Sequence, residues 1–257
     1  MEPSGGRVRF AAFDGRVRSC QPERVIEMTG ARAWLIRHGQ SESNAGLPTH
    51  GPGAAPLTER GRAEAAGVAA AFGGPPALIV SSDFVRARET ALPARRRFPE
   101  VPYEEWPVQE FTYLGQLHGP GTTNAQRRPY AEAYWDRSDP HHVAGEDGES
   151  FQNLIDRARD LLARLTVVME RGSVAVFTHG LFMRAVAWTL ATGITEPGPD
   201  DMRAFRRFMD VFRTPNGSVI ELRPQGPDLF QVLLGSAGHL VGGDEVPVPG
   251  GRPSYAD

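Results

Sequence analysis

The chain has 257 residues, of which 40% are hydrophobic and 23% are charged, and its formal net charge is −3. This length fits one α/β domain with a full core, with two domains as the second expectation. The small negative charge excludes a global basic field that would gather nucleic acid or an anionic membrane, so neither is expected as a partner.

All 28 positions counted as Lys or Arg are Arg. The chain therefore lacks the lysine that a Schiff base or a phosphate-binding P-loop requires. Any anion site must be built from Arg, His, backbone N–H groups and helix N-termini.

Cys20 is the only cysteine, so an intrachain disulfide and a thiolate zinc cluster are both excluded. It lies in a polar, Arg-rich stretch with no His nearby in sequence, which argues against a role as a nucleophile. The first ten residues lack the apolar core of a signal peptide, and no apolar run approaches the length of a membrane span. These features favour a cytoplasmic protein.

Short apolar runs alternate along the chain with helical patterns. Residues 1–30 are expected to form an N-terminal extension, with a short strand or hairpin around 7–13. Residues 241–257, rich in Pro and Gly, are expected to be a loose tail. The domain is expected at 31–240. Its predicted elements in chain order are strand 33–36, helix 58–72, strand 77–80, helix 83–97, a short strand 107–109, helix 150–170, strand 173–177, helix 181–191, and a pair of strands at 218–223 and 229–234.

Local signals fix some of these boundaries. Thr58 is the expected N-cap of the first helix, and Ser82 or Asp83 that of the second. The sequence Asn-Gly-Ser at 216–218 matches a glycosylation sequon, but Asn-Gly before a strand is more simply a turn. Helix 150–170 has an apolar side at helical spacing: Leu154, Ala158, Leu161, Leu162 and Leu165.

Strands that alternate with helices in this way are typical of a sheet covered on both faces. We therefore predict a three-layer α/β/α fold with a mostly parallel sheet, and an inserted helical or loop region at about 115–150 that covers the site. Ligands of such sheets bind at the carboxyl ends of the strands. Candidate functional residues should thus follow Ile36, Val80 and Phe177.

Two His-Gly pairs and an Arg-bearing helix start follow these strand ends: RHG at 37–39, SSDFVR at 81–86 and THG at 178–180. A single His after a strand is more often a packed or capping residue, but the combination is much harder to obtain by chance. Arg offers a planar fork of donors that matches the oxygens of a phosphoryl group. A neutral His can attack phosphorus, a second, protonated His can add positive charge, and a carboxylic acid can protonate the departing oxygen.

The segment RHGQSESN at 37–44 resembles the R-H-G-x-S-x-x-N signature of the histidine phosphatase superfamily, which contains phosphoglycerate mutases and many small-molecule phosphatases. PLTERGRAEA, SSDFVRARETA, GESFQNLIDRARDLL and FTHG resemble further family segments, in family order, from about Trp34 to about Leu222. Asp83 stands where Pro is usual, and Glu64 and Glu89 where Gln is usual. The resemblance implies a phosphoglycerate-mutase-like fold and a phosphatase without a metal or an organic cofactor.

By position, the resemblance implies a phosphate pocket that contains both histidines. His38 is expected to be the nucleophile, and Arg37, Arg86 and His179 are expected to bind the phosphoryl group. Arg88 is the rival of Arg86, but two positions further along a helix its side chain points elsewhere.

Further roles follow from the same resemblance. Asn44 is similar to a family Asn that touches a phosphate oxygen, Gly180 is placed with the phosphate-binding residues, and Gln40 is expected to line the mouth. Glu110, in VQEFTYLGQLHG, resembles the family acid, although Gly115 comes five residues later where four is common. The alternatives for the acid precede the predicted strand 107–109: Glu104 and Glu105.

Other polar and aromatic groups have simpler explanations. One loop contains five residues that could together bind a metal ion: His141, His142, Glu146, Asp147 and Glu149. Gly-rich polar loops often have this composition, so no metal is expected. Two clusters of Arg could bind a second acidic group of a substrate: Arg127 with Arg128, and Arg203 with Arg206 and Arg207. For each cluster, a solvent-exposed helix face is the favoured interpretation. Four aromatic residues are expected in the core: Trp135, Trp188, Phe205 and Phe208.

The implied reaction is hydrolysis of a small phosphomonoester through a phosphohistidine on His38, with Glu110 as the proton donor. Cofactor-dependent mutases of the family usually carry an F-x-G-W-x-D-like stretch after RHG, where this chain has AGLPTHGPGAAPL, and this difference favours a hydrolase over a mutase. A non-catalytic module that binds a phosphorylated partner is the other alternative, but all five expected catalytic positions are filled here. The sequence does not select among sugar phosphates, nucleotides, phosphoglycerate-like acids and phosphoproteins, or among oligomeric states.

Overall fold

The computed structural model describes residues 30–226 and 229–234. The predicted N-terminal extension lies outside the described residues apart from Gly30, and with it lie its expected strand or hairpin and Cys20. The predicted C-terminal tail lies outside them too. The expected domain bounds, 31–240, therefore stay a prediction.

The described residues contain the helices and strands that the sequence periodicity predicts, apart from the short strand, together with two further helices, at 124–137 and 199–211, that were not among the predicted elements. The elements are β1 (Ala33–Arg37), α1 (Glu59–Ala71), β2 (Leu78–Ser81), α2 (Val85–Arg97), β3 (Tyr103–Glu105), α3 (Asn124–Arg137), α4 (Phe151–Val168), β4 (Val174–Thr178), α5 (Gly180–Thr192), α6 (Pro199–Val211), β5 (Val219–Gly226) and β6 (Leu229–Leu234). Short 3-10 turns at Gly115–Leu117 and Met169–Arg171 precede α3 and follow α4, respectively.

One six-stranded sheet has the order β3-β2-β4-β1-β5-β6. The strands β3, β2, β4 and β1 pair in parallel, whereas β5 is antiparallel to β1 and pairs with β6 as an antiparallel edge. The prediction of a mostly parallel sheet is confirmed. Because β1, β2 and β4 run in the same direction, the residues that follow them meet at one edge of the sheet.

The two faces of the sheet support two hydrophobic clusters. Successive residues of a strand point to opposite faces. In β1, Leu35 belongs to the cluster that contains residues of α3, α4, α5 and α6, whereas Ile36 belongs to the cluster that contains residues of α1 and α2. The predicted three-layer α/β/α fold is therefore confirmed. The aromatic residues predicted for the core are there, since Trp135 and Phe205 are fully buried and Trp188 and Phe208 pack against the same cluster.

The starts of the first two helices differ in how well the sequence predicts them. Thr58 is the N-cap of α1, as predicted, and its hydroxyl accepts a hydrogen bond from the backbone N–H of Gly61. The prediction that Ser82 or Asp83 caps α2 is wrong, because Phe84 holds the cap position and makes no side-chain cap bond. The hydroxyl of Ser82 accepts from the N–H of Phe84 but also bonds to a histidine of the site.

The predicted strand at 107–109 is also wrong, since the edge strand β3 lies at Tyr103–Glu105. Among the described strands, β3 pairs with β2 alone, and two of its three residues are exposed. Its sequence therefore lacks the apolar side chains that would indicate a strand. No helix in the described part of the chain is both long enough and apolar enough to span a bilayer.

Candidate active site

The ends of β1 and β4 bring both predicted histidines together. His38 directly follows β1, and His179 directly follows β4, at the N-cap position of α5. Their ring centroids lie 5.0 Å apart, and both side chains are buried. Adjacent parallel strands thus deliver both His-Gly pairs to one place, as the sequence predicts.

Hydrogen bonds fix the tautomer of His38. Its Nδ1 lies 2.7 Å from the carbonyl oxygen of Gly39. A carbonyl can only accept, so Nδ1 carries the proton and Nε2 carries a lone pair, which accepts a hydrogen bond of 3.1 Å from Nε of Arg86. Burial, followed by the charges of Arg86 and Arg37, lowers the pKa of His38 well below its ordinary value. The ring is therefore neutral, which is the form that can act as a nucleophile.

Arg86, and not its rival Arg88, reaches the histidines. Arg86 is buried, and its second hydrogen bond joins a terminal nitrogen to the carbonyl oxygen of Pro52 at 2.6 Å. Arg88 is exposed and forms an ion pair with Glu105, with 2.8 Å between Nε and Oε1. The two side chains leave the helix in different directions, as a separation of two residues requires.

Arg37 lies beside the N-terminus of α5. One terminal nitrogen of its guanidinium donates a hydrogen bond of 2.6 Å to the carbonyl oxygen of Thr214. A Cβ atom at Gly180 would lie only 3.1 Å from Nε of Arg37. Glycine at this position therefore lets the first turn of α5 approach the guanidinium.

His179 has one satisfied and one unsatisfied ring nitrogen. Nε2 lies 2.7 Å from the hydroxyl oxygen of Ser82, whereas the buried Nδ1 has no hydrogen-bond partner among the described residues. Burial, followed by the charges of Arg86, lowers the pKa of His179 well below its ordinary value. The structure therefore favours a neutral second His, where the sequence predicts a protonated one, because burial penalises the charged ring and the cationic side chains around it repel a further proton.

Glu110 lies buried at the N-terminus of α5. Its Oε1 accepts hydrogen bonds from the backbone N–H groups of Phe111, at 3.0 Å, and Phe182, at 3.2 Å. Its Oε2 accepts one of 3.2 Å from the N–H of Leu181. Burial raises the pKa of Glu110 above its ordinary value, against the opposing effects of Arg86 and the backbone donors. A raised pKa favours the protonated carboxyl group that a general acid requires.

The two alternatives for the acid lie on the edge strand β3. Glu104 is exposed and accepts a hydrogen bond of 2.7 Å from Nε1 of Trp106. Glu105 is exposed and paired with Arg88. Of the three candidates, the structure brings only Glu110 to the histidines.

A partly open cavity lies beside this site. Its wall includes Arg86 and Glu110, and the region predicted to cover the site contributes Gly115 and His118. His38 does not itself line the cavity. Arg86, which does, is hydrogen-bonded to Nε2 of His38 and so lies between the cavity and this nitrogen.

Asn44 also lines the cavity. Its Oδ1 accepts hydrogen bonds from the N–H of Ser41, at 3.2 Å, and from Nδ2 of Asn216, at 2.9 Å. Asn216 in turn donates to the carbonyl oxygen of His38 at 3.1 Å. The predicted turn here is confirmed, with Gly217 at a φ of 69°. No local sequence pattern indicates that Asn216 would hold the loop that carries His38.

Gln40 is not among the residues of this cavity's wall, and its expected place at the mouth stays a prediction. Its side-chain oxygen accepts a hydrogen bond of 2.9 Å from the hydroxyl of Thr58, and its backbone N–H donates one of 2.7 Å to Glu64. A Cβ atom at Gly39 would lie 2.3 Å from the carbonyl oxygen of Gly61, so the loop after β1 packs directly against α1. Gln40 is therefore tied to the N-terminus of this helix.

The expected solvated helix face is wrong for Arg127, which is 1% exposed and lines the cavity. The reason is that the first turn of α3 folds over the site. Arg128, Arg203 and Arg207 are exposed, in agreement with the expectation, and Arg206 is half-buried in an ion pair with Asp136.

Among the described residues, no group of three His, Cys, Asp or Glu side chains is placed to hold a metal ion. Glu149, one member of the loop cluster considered from sequence, forms an ion pair with Arg157 at 2.6 Å and accepts a hydrogen bond from the N–H of Thr112. His141, from the same cluster, is exposed.

The sheet order and the strand-end His and Arg residues define an α/β protein of the phosphoglycerate-mutase-like class. The sequence pattern of the histidine phosphatase superfamily (branch 1) matches residues 33–226. The chain belongs to this superfamily.

Named relatives are phosphatases. The chain is 34% identical over 158 residues to the metal-independent phosphoserine phosphatase of Arabidopsis thaliana, a match that covers 59% of this chain and 65% of that protein, just under two thirds of its length. It is 30% identical over 218 residues to the glucosyl-3-phosphoglycerate phosphatase of Mycobacterium tuberculosis, which covers 72% of this chain and 95% of that protein. The chain is thus similar to named phosphatases of the superfamily.

Solved structures show the same fold. The mycobacterial glucosyl-3-phosphoglycerate phosphatase in complex with VO3 superposes with a TM-score of 0.60 at 28% identity, over 79% of this chain and 97% of that one. The α-ribazole phosphatase of Shigella flexneri superposes with a TM-score of 0.61 at 22% identity, over 80% and 96%. The second similarity concerns the fold alone.

Proposed function

We propose that the chain is a phosphomonoesterase that hydrolyses small phosphorylated substrates through a phosphohistidine on His38. The tautomer of His38 carries this proposal: Gly39 holds the proton on Nδ1 and leaves a lone pair on Nε2, next to a cationic guanidinium. The phosphatase names of the relatives support hydrolysis over the alternatives of a mutase and a non-catalytic binding module.

Several groups are available to hold the phosphoryl oxygens. A phosphate that enters from the cavity would take the hydrogen bond that Arg86 now donates to the nucleophile, and this transfer would free the lone pair for attack. Arg37 supplies a second guanidinium. The unpartnered Nδ1 of His179 offers a further polar contact, and a phosphate dianion would favour its protonated form. Asn44 and the N–H of Gly180, at the N-terminus of α5, complete the proposed pocket.

The proposed reaction has two steps. In the first, the lone pair of His38 Nε2 attacks phosphorus, the P–O ester bond breaks, and the leaving oxygen takes the proton of Glu110. In the second, the Glu110 carboxylate takes a proton from water, the water oxygen attacks phosphorus, and the P–N bond breaks to release phosphate. Arg37 and Arg86 stabilise the charge on the transferred oxygens in both steps.

The substrate range and the cellular setting belong to the same proposal. The cavity wall is rich in polar groups, Arg86, Glu110 and Arg127 among them, as a small phosphorylated metabolite requires, and the net charge of −3 gives no reason to expect nucleic acid. The single cysteine supports a cytoplasmic setting. A screen of phosphorylated metabolites, with released phosphate as the readout, tests the function directly. If the protein hydrolyses none of the compounds, including p-nitrophenyl phosphate, the proposal is contradicted.

Neither proposed step requires a metal ion. We therefore expect hydrolysis of p-nitrophenyl phosphate to continue at an unchanged rate in excess EDTA without added divalent ions. A zinc-dependent phosphatase treated in the same way is the positive control, because it should lose its activity. Loss of this chain's activity on chelation, with recovery on adding metal, would overturn the mechanism.

A hydrolase and a mutase of this family share the proposed catalytic residues, so their rates must be compared. We expect the purified protein to release phosphate from its best substrate much faster than it interconverts 3-phosphoglycerate and 2-phosphoglycerate. The comparison should be repeated with added 2,3-bisphosphoglycerate, which would load a mutase with its phosphoryl group. Efficient interconversion under that condition would replace the hydrolase proposal by the mutase alternative.

A further inference from the structure

Three Arg side chains are buried among the described residues: Arg37, Arg86 and Arg127. The first two lie beside His38 and have roles in the proposed reaction. Arg127 belongs to α3 and lines the same cavity as Arg86 and Glu110, but the two proposed steps do not use it.

No carboxylate of the described residues forms an ion pair with Arg127. The ion pairs among the described residues do not include it, although its exposed fraction is only 1%. Burial lowers the pKa of Arg127 below its ordinary value, because a charged guanidinium is less stable away from water. A buried cation is stable when an anion or several hydrogen bonds compensate it.

The hydrogen bonds of Arg127 are short on one side and long on the other. One terminal nitrogen donates to the carbonyl oxygen of Thr122 at 2.6 Å and to its hydroxyl oxygen at 2.9 Å, and the other donates to Oδ1 of Asn124. Towards the cavity, the same two nitrogens reach the hydroxyl oxygens of Thr49 and Ser43 only at 3.4 and 3.5 Å. Thr49 and Ser43 line the cavity, whereas Thr122 and Asn124 do not. The short bonds therefore fix the guanidinium, and its donors on the cavity side remain weakly used.

We propose that Arg127 binds a carboxylate group of the substrate, so that the substrate is a small phosphomonoester that also carries a carboxylate. The inference rests on the proposed function, because the phosphate must lie beside His38 for the second anionic group to reach α3. The planar fork of a guanidinium matches a carboxylate with two parallel hydrogen bonds.

The charges at this end of the cavity select a monoanion. Arg127 is surrounded by neutral hydroxyl groups, and burial together with Arg127 and Arg86 lowers the pKa of His118 to about 4, so that this ring adds no second positive charge near neutral pH. Beside His38, by contrast, a phosphate dianion finds two guanidinium groups, those of Arg37 and Arg86. A single guanidinium is the complement of a carboxylate.

Matched substrates that differ by one carboxylate test this inference. 3-Phosphoglycerate and glycerol 3-phosphate form one pair, and O-phosphoserine and O-phosphoethanolamine form another. The wild-type protein is expected to show a kcat/KM at least about tenfold higher for the carboxylate member of a pair, since hydrogen bonds to charged groups are worth roughly this factor or more. Equal values in both pairs would overturn the inference on the wild-type protein alone.

The variant Arg127→Gln assigns the preference to one residue. It is expected to lower kcat/KM for the carboxylate substrate about 10-fold to 100-fold. The kcat/KM values for the matched substrate without a carboxylate and for p-nitrophenyl phosphate should stay nearly unchanged. Arg127→Lys should retain part of the preference, because it keeps the charge but not the fork. Arg128→Gln is the control, since Arg128 is its exposed neighbour on the same helix.

The outcomes separate this inference from the proposed function. If p-nitrophenyl phosphate is not hydrolysed by the wild-type protein, the proposed function fails. If p-nitrophenyl phosphate is hydrolysed but Arg127→Gln slows all substrates equally, the residue supports the fold of α3 and the carboxylate inference is wrong. Loss confined to the carboxylate substrates supports it.

Discussion

The variant His38→Gln is expected to lose hydrolysis of p-nitrophenyl phosphate by on the order of 10⁴-fold or more, because it removes the nucleophilic nitrogen. Gln is chosen because its side-chain oxygen can still accept the hydrogen bond from Arg86, so the buried pocket keeps a partner for that guanidinium. The measurement is kcat/KM of the purified variant beside the wild type, with thermal unfolding to verify that it is folded.

The matched control for this variant is His50→Gln. His50 is exposed, lies in the segment between β1 and α1, and is not part of the cavity wall. Its replacement should leave kcat/KM unchanged. A folded His38→Gln protein with near wild-type activity would show that another residue attacks phosphorus.

The variant Glu110→Gln is expected to distinguish substrates by their leaving group. An alkyl alcohol leaves poorly as an alkoxide, whereas p-nitrophenol leaves readily as its anion. Loss of the proton donor should therefore lower kcat/KM for an alkyl phosphate by something on the order of 10²–10⁴-fold and for p-nitrophenyl phosphate only mildly. The ratio kcat/KM is the right quantity because it reports the steps up to phosphorylation and is not masked by slow hydrolysis of the phosphoenzyme.

Glu104→Gln is the control for this comparison, since Glu104 is exposed on β3 and was the rival for the same role. It should affect neither substrate. Equal loss on both substrates in Glu110→Gln would mean that the carboxylate stabilises α5 and does not donate a proton. It accepts hydrogen bonds from the N–H groups of Leu181 and Phe182 in the first turn of that helix. Wild-type values for both substrates would remove Glu110 from the mechanism.

The sequence predicts the core of the site because few geometric facts are needed to assemble it. His38 and His179 each follow a buried apolar strand, and parallel strands end at a common edge whatever the lengths of the helices between them. The choice of Arg86 over Arg88 comes from the resemblance to the family segment, and the helical period adds only that the two side chains point in different directions. The placement of the histidines thus follows from strand direction, whereas the assignment of roles follows from the resemblance.

Other parts of the site depend on tertiary contacts that local patterns do not encode. Asn216 holds the carbonyl oxygen of His38 across 178 positions of the chain. The position of Ser82 predicts a helix cap, but its hydroxyl forms a hydrogen bond with His179. Arg127 is polar and lies on a helix, which predicts exposure, but α3 folds over the cavity and buries it. In each case the side chain's environment is created by an element distant in sequence.

The most direct test of the account is to locate the phosphoryl group on the trapped phosphoenzyme. The protein is mixed briefly with ³²P-labelled substrate, quenched in alkali and digested, and the labelled peptide is sequenced by mass spectrometry. The account predicts label on His38, lost in acid and stable in alkali as a phosphoramidate is, with ³¹P NMR showing attachment at Nε2. Label on Ser41, Ser81 or Cys20, or on Nδ1 of His38, would contradict it.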